Sequence, residues 1–285
     1  MTEDVFALPV IEQPTPSISL RRLGDLSLVV VEHPQARAAV TLQGAQLIAW
    51  QPTGERPVLW LSGLSPFAEG KAVRGGVPIC WPWFGSAGSP SHGFARTSAW
   101  TLDAHHEDDE AALLAFSLKS GPRTREMWPH DFTLTARFKL GRQCGIDLEA
   151  EADHASTGAL HSYFSVGDAG EVAVSGLGDR YFDKVLDAEG EQSGDLTFPG
   201  RIDRVYTRPA DVSLLHDPVL GRVVEVRHRD AGDAVAWNPG PELSRTMADV
   251  PDDGHTAFVC VETARVSRPL EGGKDGFGVT LSVRR

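Results

Sequence analysis

The sequence predicts an all-β protein: a large antiparallel β-sandwich with very little helix. Three observations predict it. Several segments alternate apolar and polar residues with period two. Others are short runs rich in β-branched and aromatic residues, punctuated by Gly, Pro, Asp and Asn. Only one stretch, "PELSRTMADV", reads as a helical turn or two. Roughly a dozen strands without crossover helices can be joined only as hairpins and meanders, which makes the sheets antiparallel.

In chain order, residues 1–17 form an acidic, proline-broken extension, and 18–285 read as a single domain, since no Gly/Ser linker, low-complexity tract or internal repeat divides them. "LSLVVVEHP" opens the strand pattern. "HHEDDEAA" (105–112) reads as the solvated end of a hairpin between "SAWTLDA" and "LLAFSLK", not as a metal site. "FTLTARFKL" puts Phe132, Leu134, Ala136, Phe138 and Leu140 on one face; "CGIDLEAEA", "GRVVEVRHR" and "FGVTLSVRR" behave alike. "AALLAFSLK", "GALHSYFSV" and "TAFVCVETA" are the apolar runs.

Composition narrows the function. The 39 acidic and 27 basic side chains leave a net charge of −12, which opposes binding to nucleic acid or to an anionic membrane. An anionic small molecule would have to be held by a few local arginines. Cys80, Cys144 and Cys260 are odd in number and far apart, which fits a reducing cytoplasm. The N-terminus lacks a signal-peptide pattern, and no window approaches the ~20 apolar residues of a membrane helix. The expectation is a soluble, cytoplasmic monomer or weak oligomer.

The stretch "KAVRGGVPICWPWFG" (71–85) is unlike its surroundings. It has a basic pair, a double glycine, two X-Pro steps and three aromatic rings, with neither strand nor helix period. Elsewhere, polar residues interrupt apolar strands: His161 in "GALHSYFSVGD" and Glu262 in "AFVCVETA". A carboxylate at the end of a Phe-Val-Cys-Val run needs a partner or a rim position. A His–Glu pair in one cleft would satisfy both residues and would make an acid/base couple, with the carboxylate raising the imidazole pKa and the imidazolium keeping the carboxylate ionised. "SHGFARTSAW" carries His92 and Arg96, and "RIDRVYTR" carries Asp203 between arginines. No nucleophile elbow, Walker loop, zinc-protease helix or dinucleotide fingerprint is present. Chemistry that only moves protons remains.

In this order and over nearly the whole chain, "VRGGVPICWPWFG", "SHGFAR", "MWPHDFTLTARFKLG", "ALHSYFSVGD", "DRVY", "VAWNP" and "FVCVET" resemble the glucose-6-phosphate 1-epimerases, or hexose-6-phosphate mutarotases, of the aldose 1-epimerase superfamily. The resemblance implies a galactose-mutarotase-like supersandwich, a sugar-phosphate substrate and no cofactor or metal. It implies that His161 and Glu262 are catalytic and that Arg74, His92, Arg96 and Asp203 bind substrate. Trp81, Trp83 and Phe84 could line the sugar site, Gly75 and Gly76 would let backbone approach the ligand, and Arg74 would offer its fork to the phosphate, with Lys71 as a weaker cation. One departure is Thr263, where the family usually has proline. Two other readings stay open on the residues alone: a non-catalytic carbohydrate-binding sandwich, and a carbohydrate-cleaving enzyme using Asp203 and Glu262 as paired carboxylates.

Overall fold

The computed structural model describes residues 4–207 and 209–285, so the first three residues of the expected extension lie outside the described residues. Its strands pair antiparallel in three sheets. Ile18–Leu23, Leu26–His33, Ala36–Thr41 and Gln46–Pro52 form a four-stranded meander. A nine-stranded sheet runs from Leu196–Thr197 through Val212–Asp217, Arg222–Arg229, Gly273–Arg284, Cys144–Ala152 and Phe132–Gly141 to Thr101–Glu107. An eight-stranded sheet runs from Ala188–Glu191 through Ile202–Thr207, Asp233–Asn238 and Phe258–Leu270 to Ser156–Leu160 and Ile79–Cys80. The charged 105–112 segment does form a hairpin end: Asp108 Oδ1 accepts from the backbone N–H groups of Glu110 and Ala111 and closes the turn.

Alternation explains the layers. Phe132, Leu134, Ala136, Phe138 and Leu140 are all buried, as the period-two pattern requires. They share one core with Val29 and Val40 of the meander and with Val259 and Val261 of the eight-stranded sheet. Trp50 fastens two sheets together by donating its indole N–H to Gly141 O at 3.0 Å. The 4–17 segment is also anchored: Val5 and Leu8 pack with Leu23 and Leu26, and Arg21 donates to the carbonyls of Phe6 and Leu8. A helix over Pro122–Met127 escaped the sequence reading, although Gly121-Pro122 is a fair helix start.

The strand Phe258–Leu270 is the axis of the molecule. Residues 258–265 are buried without a break, so both of its faces are covered. Val259, Val261 and Thr263 turn toward the main core, and Phe258, Cys260, Glu262 and Ala264 turn the other way. Thr263 has a polar partner there. Its hydroxyl lies 2.8 Å from His228 Nδ1, and His228 Nε2 lies 3.0 Å from Ser213 Oγ. Ser213 spends its one proton on Gly176 O, so it must accept from Nε2–H, and Thr263 then donates to Nδ1. Every group in this buried chain is satisfied only when His228 is neutral.

Burial accordingly pulls the His228 pKa down to about 4. The unfolded chain takes up this proton below the ordinary imidazole value and the native state refuses it, so stability is full above that value and falls as pH drops toward 4. Between pH 7 and pH 5 the unfolding free energy of the wild type, read from urea titrations, should fall more steeply than that of His228→Gln, by up to about 2 kcal/mol across the interval. Equal slopes would show that His228 is not the titrating group.

Candidate active site

The face of the eight-stranded sheet turned away from the main core carries the polar residues that interrupted its apolar strands. One rung across the strands reads Tyr163, Cys260, Trp237, Asp203, and the next aligns Glu262, Val235 and Val205. His161 lies in the gap between the short strands Ser156–Leu160 and Tyr163–Ser165, beside Glu262. The odd loop explains this gap. His161 N–H donates to Pro78 O at 3.0 Å, and Tyr163 N–H donates to Gly76 O at 2.9 Å. The rigid 74–85 segment therefore supplies the backbone acceptors that the broken strand lacks.

His161 Nε2 lies 3.3 Å from Glu262 Oε1, with the glutamate side chain 1% exposed and the histidine 8%. The imidazole is held on three sides. Tyr163 stacks on it at 4.6 Å, His92 meets it edge-on at 5.6 Å, and Trp237 meets it edge-on at 6.0 Å. Glu262 Oε2, His161 Nδ1 and Arg96 Nε are buried without a hydrogen-bond partner. Buried polar atoms left unpaired in a native fold are costly.

The electrostatics differ from the sequence expectation. Burial pushes the Glu262 carboxyl well up, with Asp203 adding to the shift and Lys184 opposing it. Burial pushes the His161 imidazole well down, and His92, Arg74 and Arg96 add to that. Both shifts favour an uncharged pair, a carboxylic acid beside a neutral imidazole, over the carboxylate–imidazolium pair that the residue types alone suggest. Desolvation in so buried a place works against an ion pair.

His92 completes the centre. It has φ of 64°, and its Nδ1 accepts from Gly85 N–H at 3.4 Å, which leaves Nε2 carrying the proton. Burial, with Arg96, Lys184 and Arg74, pulls its pKa down to about 3, so it is a neutral donor. Asp203 lies 3.8 Å from Lys184 Nζ, and burial raises its carboxyl against the pull of Lys184 and Arg201.

Several sequence expectations need correction. Trp81 does not line the cleft. Its ring is 0% exposed, packs among Phe94, Trp128 and Phe132 in the main core, and donates to Ser156 Oγ at 2.9 Å. Trp83 packs edge-on against Phe94 and donates to Pro90 O, so of the three rings only Phe84 turns toward the site, against Val235, Ala264 and His92. Gly75 and Gly76 give room to backbone and not to a ligand: a Cβ would stand 2.4 Å from Trp60 O and 2.2 Å from Leu47 O respectively. Lys71 is exposed, and only its backbone is bonded, its N–H to Ala68 O and its carbonyl to the Gln43 amide; the structure does not bring it to the pair. Arg74 is close to the pair, but its fork is partly taken. Nε donates to Asp249 Oδ2 at 3.0 Å and Nη1 donates to Tyr163 Oη at 2.9 Å. Burial works against its charge, yet Tyr163 and Asp249 outweigh it and hold the guanidinium firmly protonated. Arg96 donates to Ser91 O at 2.8 Å from Nη2.

Other residues of the cleft gave no sequence signal. Asp249 meets Arg74 from 175 residues away, and Lys184 sits in an exposed turn of ordinary composition.

Comparison with known proteins places this geometry. The family model described as aldose 1-epimerase matches residues 27–276. A protein of Salmonella typhimurium LT2, provisionally named glucose-6-phosphate 1-epimerase, is 56% identical over 280 residues, covering 96% of this chain and 95% of its own. An Escherichia coli K12 protein with the same provisional name is 53% identical over 280 residues, with the same coverage. A crystal structure from Salmonella typhimurium, provisionally called a mutarotase (YeaD), superposes with a TM-score of 0.97 at 54% identity, covering 99% of this chain and 98% of that one. With a family model over most of its length and relatives more than half identical along nearly all of it, the chain belongs to the aldose 1-epimerase family of isomerases.

Proposed function

We propose that the protein interconverts the α and β anomers of a hexose 6-phosphate, glucose 6-phosphate foremost, with Glu262 and His161 as the acid/base pair. The observation that carries the reading is that pair: two titratable groups 3.3 Å apart, both buried and each keeping one unpartnered polar atom. Support for the phosphate comes from the names of the relatives and from cations gathered at one site of a chain with net charge −12.

The shared proton first crosses the 3.3 Å contact from Glu262 to His161. Glu262 then takes the proton of the C1 hydroxyl. The C1–O5 bond breaks, its electron pair goes to the ring oxygen, and His161 protonates that oxygen, giving the open aldehyde. Rotation about C1–C2 and the reverse steps close the ring on the other face. His92 Nε2–H and the Asp203 carboxylate are placed to hold sugar oxygens. The free Nη2 of Arg74 and the unpartnered Nε of Arg96 divide the phosphate between them, since neither has a whole fork to offer.

Glu262→Gln and His161→Ala should each lower catalysed exchange by roughly 10²–10⁴-fold, read by saturation-transfer NMR on glucose 6-phosphate, with unchanged circular dichroism. Near wild-type exchange in either variant would refute the assignment.

The pH profile should be broad, with its limbs assigned by the burial of the pair. Below the ordinary imidazole range a second proton lands on His161 and stops the reaction; well above the ordinary carboxylate range the pair loses its only proton. For free glucose, which has no phosphate to titrate, the acid limb of kcat/KM should lie below the ordinary imidazole value of about 6.5. An acid limb at or above that value would refute the depressed imidazole.

Arg74→Ala should cost the phosphorylated sugar about ten- to a hundred-fold more in kcat/KM than it costs free glucose. If both substrates lose equally, Arg74 serves the fold through Tyr163 and Asp249 and not the phosphate.

A further inference from the structure

The cleft contains a cation that no motif announced. Lys184 follows the strand Arg180–Asp183, and its backbone N–H donates to Asp203 O at 2.8 Å. Its Nζ lies 3.8 Å from Asp203 Oδ1 and 5.1 Å from the centre of the Phe84 ring. The neighbouring carboxylate does not compete for it. Asp183 Oδ1 accepts from the N–H groups of Val185 and Leu186, and its Oδ2 accepts from Arg204 Nε at 3.1 Å. The ammonium therefore has one anionic partner, at long range.

Its position is set by Phe84. That ring packs with Val235 and Ala264, and Val235 is the cross-strand partner of Glu262. An ammonium over Phe84 stands above the ring that covers this part of the glutamate's strand. The charged and titratable groups that bear on Glu262 are His161, Asp203 and Lys184, with the Cys80, Cys260 and Tyr163 side chains also near enough to feel its charge. Arg74, Arg96 and His92 bear on His161 instead. Around Asp203 stand Lys184, Arg201 and Asp183. Among these groups Lys184 favours the ionised glutamate and Asp203 opposes it.

We propose that Lys184 is a positioning residue for the epimerase reaction, holding Asp203 at the sugar's flank and compensating the negative charge that Glu262 carries while it acts as base. The proposal rests on the reading of Glu262 as that base. The long Lys184–Asp203 contact suits it: a sugar hydroxyl that donates to Asp203 takes up part of that carboxylate's charge, and the ammonium's field then acts more fully on Glu262. Binding of the correct sugar thereby favours the ionised form that burial alone disfavours.

The test is the pH profile and the kcat and KM of Lys184→Met and Lys184→Arg on glucose 6-phosphate and glucose. Lys184→Met should lower kcat roughly tenfold or more for both sugars, leave KM within about threefold, and move the alkaline limb up by about one pH unit, because Glu262 loses its compensating cation. Lys184→Arg should restore the limb. An alkaline limb unmoved in Lys184→Met, or a rise in KM at constant kcat, would overturn the proposal while Glu262→Gln remained inactive. An active Glu262→Gln would instead remove the base reading and the proposal with it.

Discussion

The phase of one strand, Phe258–Leu270, is the constraint on which the rest depends. Because residues 258–265 are buried on both sides, each position has a fixed duty: odd positions fill the core and even ones face the cleft. A slip of one residue would drive Glu262 into the hydrocarbon core and turn Thr263 outward. Two polar anchors oppose that slip from opposite faces. Thr263 is bound into the His228–Ser213 chain below, and Glu262 meets His161 above. The Thr263 hydroxyl thus ties the strand's phase to the core through His228.

A second principle is that the most deeply buried titratable groups favour their uncharged forms. Burial disfavours charge on both Glu262 and His161, His92 and His228 are uncharged, and the charge of Arg74 is matched by Asp249. Desolvating isolated charges would cost several kcal/mol each, more than such a fold has in reserve. In the proposed mechanism the charge that the reaction needs is created during turnover, by moving a proton over a short contact, instead of being stored. Rigidity makes this workable. The imidazole is boxed in by Tyr163, Trp237 and His92, and its backbone is bound to Pro78 in the aromatic loop.

Much of this was legible in the sequence, for a simple reason. Period-two alternation is a local signal, and the strands at 132–141, 144–152 and 222–229 fall where the pattern put them. Glu262 and His161 stood out because a polar residue in an apolar strand needs a partner, and the structure pairs them. What remained hidden depends on long-range meetings. Nothing near Trp81 says that its ring turns into the core while Phe84 turns to the cleft. Nothing near Arg74 foretells Asp249, and Lys184 looks like any lysine in a charged turn. The direction of the shifts within the pair was hidden as well, because attraction between its members is apparent from residue types, whereas the depth of burial is not.

The box around His161 has one more consequence. Trp237 is one of seven tryptophans, and it stands edge-on to the His161 imidazole at 6.0 Å. A protonated imidazole quenches indole emission far more strongly than a neutral one, so the wall that stiffens the histidine also works as an optical gauge of its charge. With the other six tryptophans replaced by phenylalanine, the emission of Trp237 would report the charge of His161 without any reporter attached to the sugar.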